Sequence, residues 1–217
     1  MRQRKVKNEE EKLSKHNQYL INKPQRYKGK WHQLFNNNNS IYAEFGCGKG
    51  QFILTMAELY PNNNYIAFEG RGSVILRALE KAAQKGFNNV VFVKEYINDS
   101  REYFEESELS GIYLNFSDPW PKLRHAKRRL THSRYLKGYQ TVLKKDGCIE
   151  FKTDNDDLFE FALDEFKSHG MKLLEISRDL HNTELEAKNV TTEYEDKFRT
   201  EGKKINYCKV QTAPVQL

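Results

Sequence analysis

Residues 41–52 read IYAEFGCGKGQF, and this stretch decides the fold. Ile41–Phe45 is a short apolar run rich in β-formers. It breaks into Gly46, Gly48 and Gly50 at alternate positions, and helical spacing of apolar residues begins at Gln51 and lasts to Tyr60. A strand that turns through glycines into a helix is the opening unit of many ligand-binding α/β sheets. The glycines permit a tight turn and let the backbone approach a bound molecule.

The same alternation continues outward. Further apolar β-rich runs are Tyr65–Phe68, Val90–Val93, Gly111–Phe116, Cys148–Thr153, Lys172–Asp179 and Ile205–Gln211. Gly72–Gly86, Ser133–Lys145 and Asp156–His169 have helical spacing. The pattern predicts an α/β fold: a Rossmann-like, mostly parallel sheet of seven strands with helices on both faces. The connection Leu180–Lys204 is long and polar, which lets the last strand return antiparallel. Residues 1–30 read as a basic N-terminal arm, partly helical from Glu9 to Leu20, with Pro24 interrupting any helix there. Residues 31–217 read as one domain.

The 217 residues are 38% hydrophobic and 30% charged. No apolar run approaches the roughly 20 residues that span a bilayer, and the N-terminus lacks the apolar core of a secretory signal. The expected location is the cytoplasm, with no membrane partner. Cys47, Cys148 and Cys208 are far apart and form no CxxC pair, which argues against disulfides and zinc. His125, His132, His169 and His181 have no ligand spacing, so no metal is expected.

The net charge of +6 is unevenly spread. Residues 1–30 hold ten Lys/Arg against three Glu, and residues 119–145 hold nine Lys/Arg and no acid. Two basic segments on an otherwise acidic body suggest a polyanionic partner. The plainer reading is two solvated helical faces.

The glycine turn is not a phosphate-binding P-loop, since Lys49 is followed by Gly50 and not by Ser or Thr. Glu44 stands just before the first glycines. A carboxylate there suits a ligand with a cationic amino end and no phosphate, such as S-adenosylmethionine. Glu69, at the end of the second run, can accept hydrogen bonds from a ribose diol. A nicotinamide-dependent enzyme is the competing ligand reading.

The fourth run leads into Asn115–Lys122, NFSDPWPK. Strand four is expected beside strand one, so Asp118 faces the glycine loop. Pro119 and Pro121 bracket Trp120 and stiffen the backbone, leaving an aromatic edge able to grip a planar base. A proline-rich turn with a packing tryptophan is the alternative. Lys122, Arg124, Lys127, Arg128 and Arg129 follow, as phosphate recognition requires.

NFSDPWPKLRHAKRRL, residues 115–130, closely resembles the signature of the bacterial tRNA (guanine-N7-)-methyltransferases. The resemblance extends through Glu44–Phe52, Tyr65–Glu69, Phe151–Asn155, Leu180–Asn182, Thr192–Glu195 and Lys197–Phe198. It implies a class I methyltransferase fold, S-adenosylmethionine as donor, and a guanosine of the tRNA variable loop as acceptor. By motif, Glu44, Gly46, Gly48, Glu69 and Asp118 fall on the donor site, with Asp118 also catalytic. Lys122, Asp154, Thr192, Glu193, Tyr194 and Glu195 fall on the substrate side. Arg124, Lys127, Arg128 and Arg129, helped by the N-terminal arm, hold the tRNA backbone. One position departs. The family usually has an acid or similar polar residue after strand three to contact the adenine, and Tyr96 stands there, with Glu95 and Asn98 as neighbours able to substitute.

Guanine N7 carries a lone pair and no proton at neutral pH, so methylation needs no general base. Asp118 is expected to orient the base and offset the positive charge it acquires. Asp154 either accepts from the guanine edge or caps the following helix. The rivals are an exocyclic-amine methyltransferase and a non-catalytic RNA-binding module with a donor site. The chain is expected to act as a monomer or homodimer.

Overall fold

The structure is a computed structural model and describes residues 7–212. The basic residues Arg2, Arg4 and Lys5 of the N-terminal arm lie outside the described residues.

Seven strands form one sheet: β1 Ser40–Phe45, β2 Asn63–Phe68, β3 Val90–Val93, β4 Leu109–Asn115, β5 Leu143–Thr153, β6 Lys172–Ser177 and β7 Asn206–Gln211. Their order is β3-β2-β1-β4-β5-β7-β6. The first five pair in parallel, and β7 runs antiparallel between β5 and β6. The strand order reverses between β1 and β4. A crevice therefore opens beyond the carboxyl ends of these two strands, where ligands bind in such sheets.

Seven helices accompany the sheet: α1 Glu9–Ser14, α2 Trp31–Phe35, α3 Gln51–Leu59, α4 Gly72–Lys85, α5 Ser133–Val142, α6 Asp156–Ser168 and α7 Glu193–Thr200. They bury both sheet faces. Leu136 and Tyr139 of α5 and Phe159 and Phe166 of α6 pack with Phe45, Ile112 and Ile149 on one face. Ile53 of α3 and Ile75 and Leu79 of α4 pack with Tyr65 and Tyr113 on the other. Burial on both sides explains why the strands read as apolar runs.

Two boundaries differ from expectation. Helix α5 stops at Val142, and residues 143–145 join β5, because buried Leu143 pairs with Leu109. Helix α1 stops at Ser14, because residues 19–21 instead extend along β3. Phe92 N–H donates to Tyr19 O at 2.8 Å, and Ile21 N–H donates to Phe92 O at 2.8 Å. This pairing blunts an edge strand. Leu13, Tyr19 and Leu20 are buried in the α3–α4 face.

Candidate active site

Gly46 and Gly48 hold φ of 89° and 58°, a left-handed backbone open to glycine at little cost. A Cβ at either would meet nothing within 4 Å, so the loop leaves free space before it. Gly46 N–H and Cys47 N–H both donate to Phe68 O at 2.9 Å, which pins the turn to β2.

Glu44 ends up beneath this loop and is 1% exposed. Asn115 Nδ2, at the end of β4, donates to Glu44 Oε1 at 2.9 Å. The other oxygen, Oε2, is buried without a partner. Burial pushes the Glu44 carboxyl up to about 8, although Asn115 and Lys152 both favour its charged form. A buried carboxylate with one empty acceptor suits a cationic amino group, which would supply the missing donor. Glu69 follows β2, and burial raises its carboxyl too, against the pull of Arg71 N–H donating to Oε1 at 2.9 Å. Together the loop, Glu44 and Glu69 fit S-adenosylmethionine.

Tyr96 lies beyond β3 and is largely exposed. Its ring rests on Gly70: a Cβ there would stand 2.3–2.4 Å from Tyr96 Cε2, Cδ2 and Cζ. Tyr96 is also a hydrogen-bond partner that raises the Arg71 guanidinium, with Asp118 and Glu69 adding to the effect.

The NFSDPWPK segment leaves β4 through two left-handed residues, Phe116 at φ 50° and Trp120 at φ 43°. Such backbone costs about 1–3 kcal/mol and persists only when its surroundings hold it. Phe116 N–H donates to Lys152 O at 2.9 Å, and its ring meets Phe198 of α7 at 5.9 Å between centroids. Asp118, between the two, is exposed at the mouth. It is near enough to Glu69 to raise that carboxyl.

The basic strip divides. Lys122, Arg124, Lys127 and Arg128 are exposed. Arg129 is 6% exposed and points inward. Its Nε donates to Pro119 O at 3.0 Å and its Nη2 to Trp120 O at 3.1 Å, while the guanidinium lies 4.4 Å from the Phe161 ring centroid. Turned inward, Arg129 braces the loop, whereas its basic neighbours offer exposed charge. The Trp120 ring is also engaged, by Arg128 at 4.7 Å and by the edge of His125 at 5.7 Å.

On the acceptor side, Asp154 is half-buried and 3.6 Å from Lys203 Nζ. It does not cap α6; Asn155 does, with Oδ1 accepting from Leu158 N–H at 2.8 Å. Thr192 and Glu195 face inward. The Thr192 hydroxyl caps α7 by accepting from Glu195 N–H at 3.0 Å. Glu195 is 0% exposed and accepts from Lys152 Nζ at 2.8 Å and Asn189 Nδ2 at 2.6 Å. Glu193 accepts from Lys81 Nζ of α4 at 2.7 Å, and Tyr194 is exposed. Among the described residues, no His, Cys, Asp or Glu cluster could hold a metal ion.

A family profile described as "Putative methyltransferase" matches residues 38–208. A tRNA (guanine-N(7)-)-methyltransferase of Clostridioides difficile is 49% identical over 212 residues, covering 97% of this chain and 99% of its own. One from Oceanobacillus iheyensis is 49% identical over 96% and 98% of the two chains. The chain belongs to the tRNA (guanine-N(7)-)-methyltransferase family. Solved structures with the same fold include the 16S rRNA methyltransferase KamB, with TM-score 0.63 and 14% identity over 86% of this chain and 94% of that one. An antibiotic-related methyltransferase gives TM-score 0.60 and 18% identity over 85% and 93%.

Membership of the methyltransferase family gives the geometry its context. Glu44, Glu69, Asp118 and the glycine loop all lie at or just past the carboxyl ends of β1, β2 and β4, around the β1–β4 switch point. Sequence reading missed Asn115 and Lys152, whose roles depend on partners far along the chain. The one available signal was a lysine amid the buried residues of a central strand, Phe151-Lys152-Thr153.

Proposed function

We infer that this protein transfers a methyl group from S-adenosylmethionine to N7 of a guanosine in tRNA, forming 7-methylguanosine. Relatives 43–49% identical along almost their whole length carry that name. The observation that carries the reading is a buried half-satisfied carboxylate, Glu44, near the end of β1, with the exposed Asp118 just past the neighbouring β4.

When bound, S-adenosylmethionine supplies an activated methyl group. Glu44 would hold its amino group and Glu69 its ribose hydroxyls. Asp118 faces the acceptor. The N7 lone pair needs no base to free it, so Asp118 orients the purine and offsets the charge that develops on it. Most of the acceleration comes from holding the two reactants in line. Asp154, free of any capping duty, accepts from the guanine N1–H or its exocyclic amine. Tyr96, resting on Gly70, would wall the adenine end of the donor.

The acceptor is a guanosine of the variable loop, which must leave its stack to reach the crevice. Lys122, Arg124, Lys127 and Arg128 hold the surrounding phosphates. Acting on tRNA sets its work in the cytoplasm. The deciding experiment is methyl transfer to unmodified tRNA followed by nucleotide mapping. 7-Methylguanosine in the variable loop is expected. A methylated exocyclic amine, or donor binding without turnover, would replace this reading with one of its rivals.

A further inference from the structure

Of the three lysines on β5, Lys144 and Lys145 are exposed and Lys152 is 4% exposed. A buried ammonium is costly unless every proton finds an acceptor. Here each does. Lys152 Nζ donates to Val190 O at 2.7 Å, to Glu195 Oε2 at 2.8 Å and to Asn189 Oδ1 at 3.0 Å. It also lies 5.1 Å from the ring centroid of Phe52, in the first turn of α3 just after the glycine loop. Asn189 extends the network, donating to Glu195 at 2.6 Å and to Glu186 at 3.0 Å. Glu186 in turn meets His181 Nδ1 at 2.9 Å and pairs with Arg199.

Lys152 also stands beside the donor side: it is paired across β4–β5 with Asn115, whose amide donates to Glu44 at 2.9 Å. The groups that bear on the Glu44 carboxylate are Asn115 from β4, Lys152 from β5, Glu193 from α7 and Glu69 from the end of β2. The Cys47 thiol in the loop also feels its charge. Lys152 is the cation among these.

We propose that Lys152 is a positioning residue that couples the two halves of the site: it fixes segment 189–195 and sets a positive charge beside the Asn115–Glu44 pair on the donor side. A neutral side chain of similar size would fill the space but perform neither task. Glu195 is the ion-pair partner of Lys152, so a neutral residue there leaves the ammonium's charge less compensated. The inference rests on reading the crevice as a methyl-transfer site.

The test uses donor binding and hydrogen exchange, both measured without tRNA. S-adenosylhomocysteine, which keeps the cationic amino end, is titrated by calorimetry from about pH 6 to 9 on wild type, Lys152→Met, Lys152→Arg and Glu195→Gln. Binding should weaken as pH falls and Glu44 takes up a proton. In Lys152→Met the midpoint should move up by about one pH unit, a tenfold loss of affinity below it. In Glu195→Gln it should move down. Lys152→Arg should stay near wild type. Amide protection of segment 189–195 should fall in Lys152→Met and persist in Lys152→Arg. A purely structural lysine would lower protection but leave the midpoint in place, or shift both neutral variants the same way; either result overturns the proposal. If Lys152→Met does not fold, Lys152→Gln, which removes the charge but can still donate to segment 189–195, is measured in its place, and an unmoved midpoint there overturns the proposal. Absence of 7-methylguanosine formation by wild type would sink the function reading separately.

Discussion

The side-chain amide of Asn115 donates to one oxygen of Glu44 at 2.9 Å and leaves the other oxygen buried without a partner. The arrangement is built for a ligand and is costly without one. Burial raises the Glu44 carboxyl from 4.5 to about 8. A raised carboxyl favours the folded state while it is protonated, so its contribution is complete below about pH 4.5 and is lost as pH rises through about 8.

Glu44→Gln should therefore stabilise the donor-free protein in alkaline solution while abolishing donor binding. At 1.36 kcal/mol per unit, the gain is at most about 5 kcal/mol above pH 8 and shrinks towards zero near pH 4.5. Thermal melts across this range check it. A Glu44→Gln protein less stable than wild type at alkaline pH would show that another group already satisfies Oε2.

Asp118→Asn keeps the shape of the loop and removes its charge. If the carboxylate offsets the charge forming on the purine, kcat should fall about 10²–10³-fold with little change in donor affinity. Single-turnover methylation of unmodified tRNA measures this. Near-normal turnover would remove Asp118 from the chemistry.

Gly70 and Tyr96 should behave as a pair. Gly70→Ala puts a methyl group 2.3–2.4 Å from the Tyr96 ring, which must swing away. Donor affinity should then drop by about as much as in Tyr96→Ala, and the double variant should be no worse than either single one. Contacting residues couple in this way, whereas independent sites add. Additive losses by calorimetry would place Tyr96 outside the donor pocket.

How much of this could be read from residues alone depended on how local the cause was. The strands were legible because a parallel sheet covered on both faces needs apolar runs, and Ile41–Phe45 and Val90–Val93 are such runs. Glu44 and the glycine loop were legible because strand, turn and helix are contiguous. The end of α5 was not, since only the distant partner Leu109 draws Leu143 into β5. Lys152 was hidden for the same reason, its acceptors lying at Asn189, Val190 and Glu195. In Thr192–Glu195, residues three apart share a face: capping and ion-pairing turn Thr192 and Glu195 inward, and Tyr194 faces out. A motif match carries the residues but not their directions.

Arg128 and Arg129 make that difference measurable, being the same residue type at adjacent positions. The Arg128 guanidinium is exposed over the Trp120 ring. Arg128→Ala should reduce the salt dependence of tRNA binding by about 0.7–0.9 in slope, the share of one phosphate contact. Its stability cost should stay within about 1 kcal/mol, the worth of an exposed cation–π contact. Arg129 holds the carbonyls of Pro119 and Trp120. Arg129→Ala strands these acceptors and should cost about 1–3 kcal/mol of stability. It should also slow methyl transfer, because Asp118 sits on the loop that Arg129 braces, while leaving the salt slope unchanged. Denaturant midpoints and binding titrations at several salt concentrations separate the two variants. A reduced slope in Arg129→Ala with unaltered stability would mean that its guanidinium turns outward to meet the RNA.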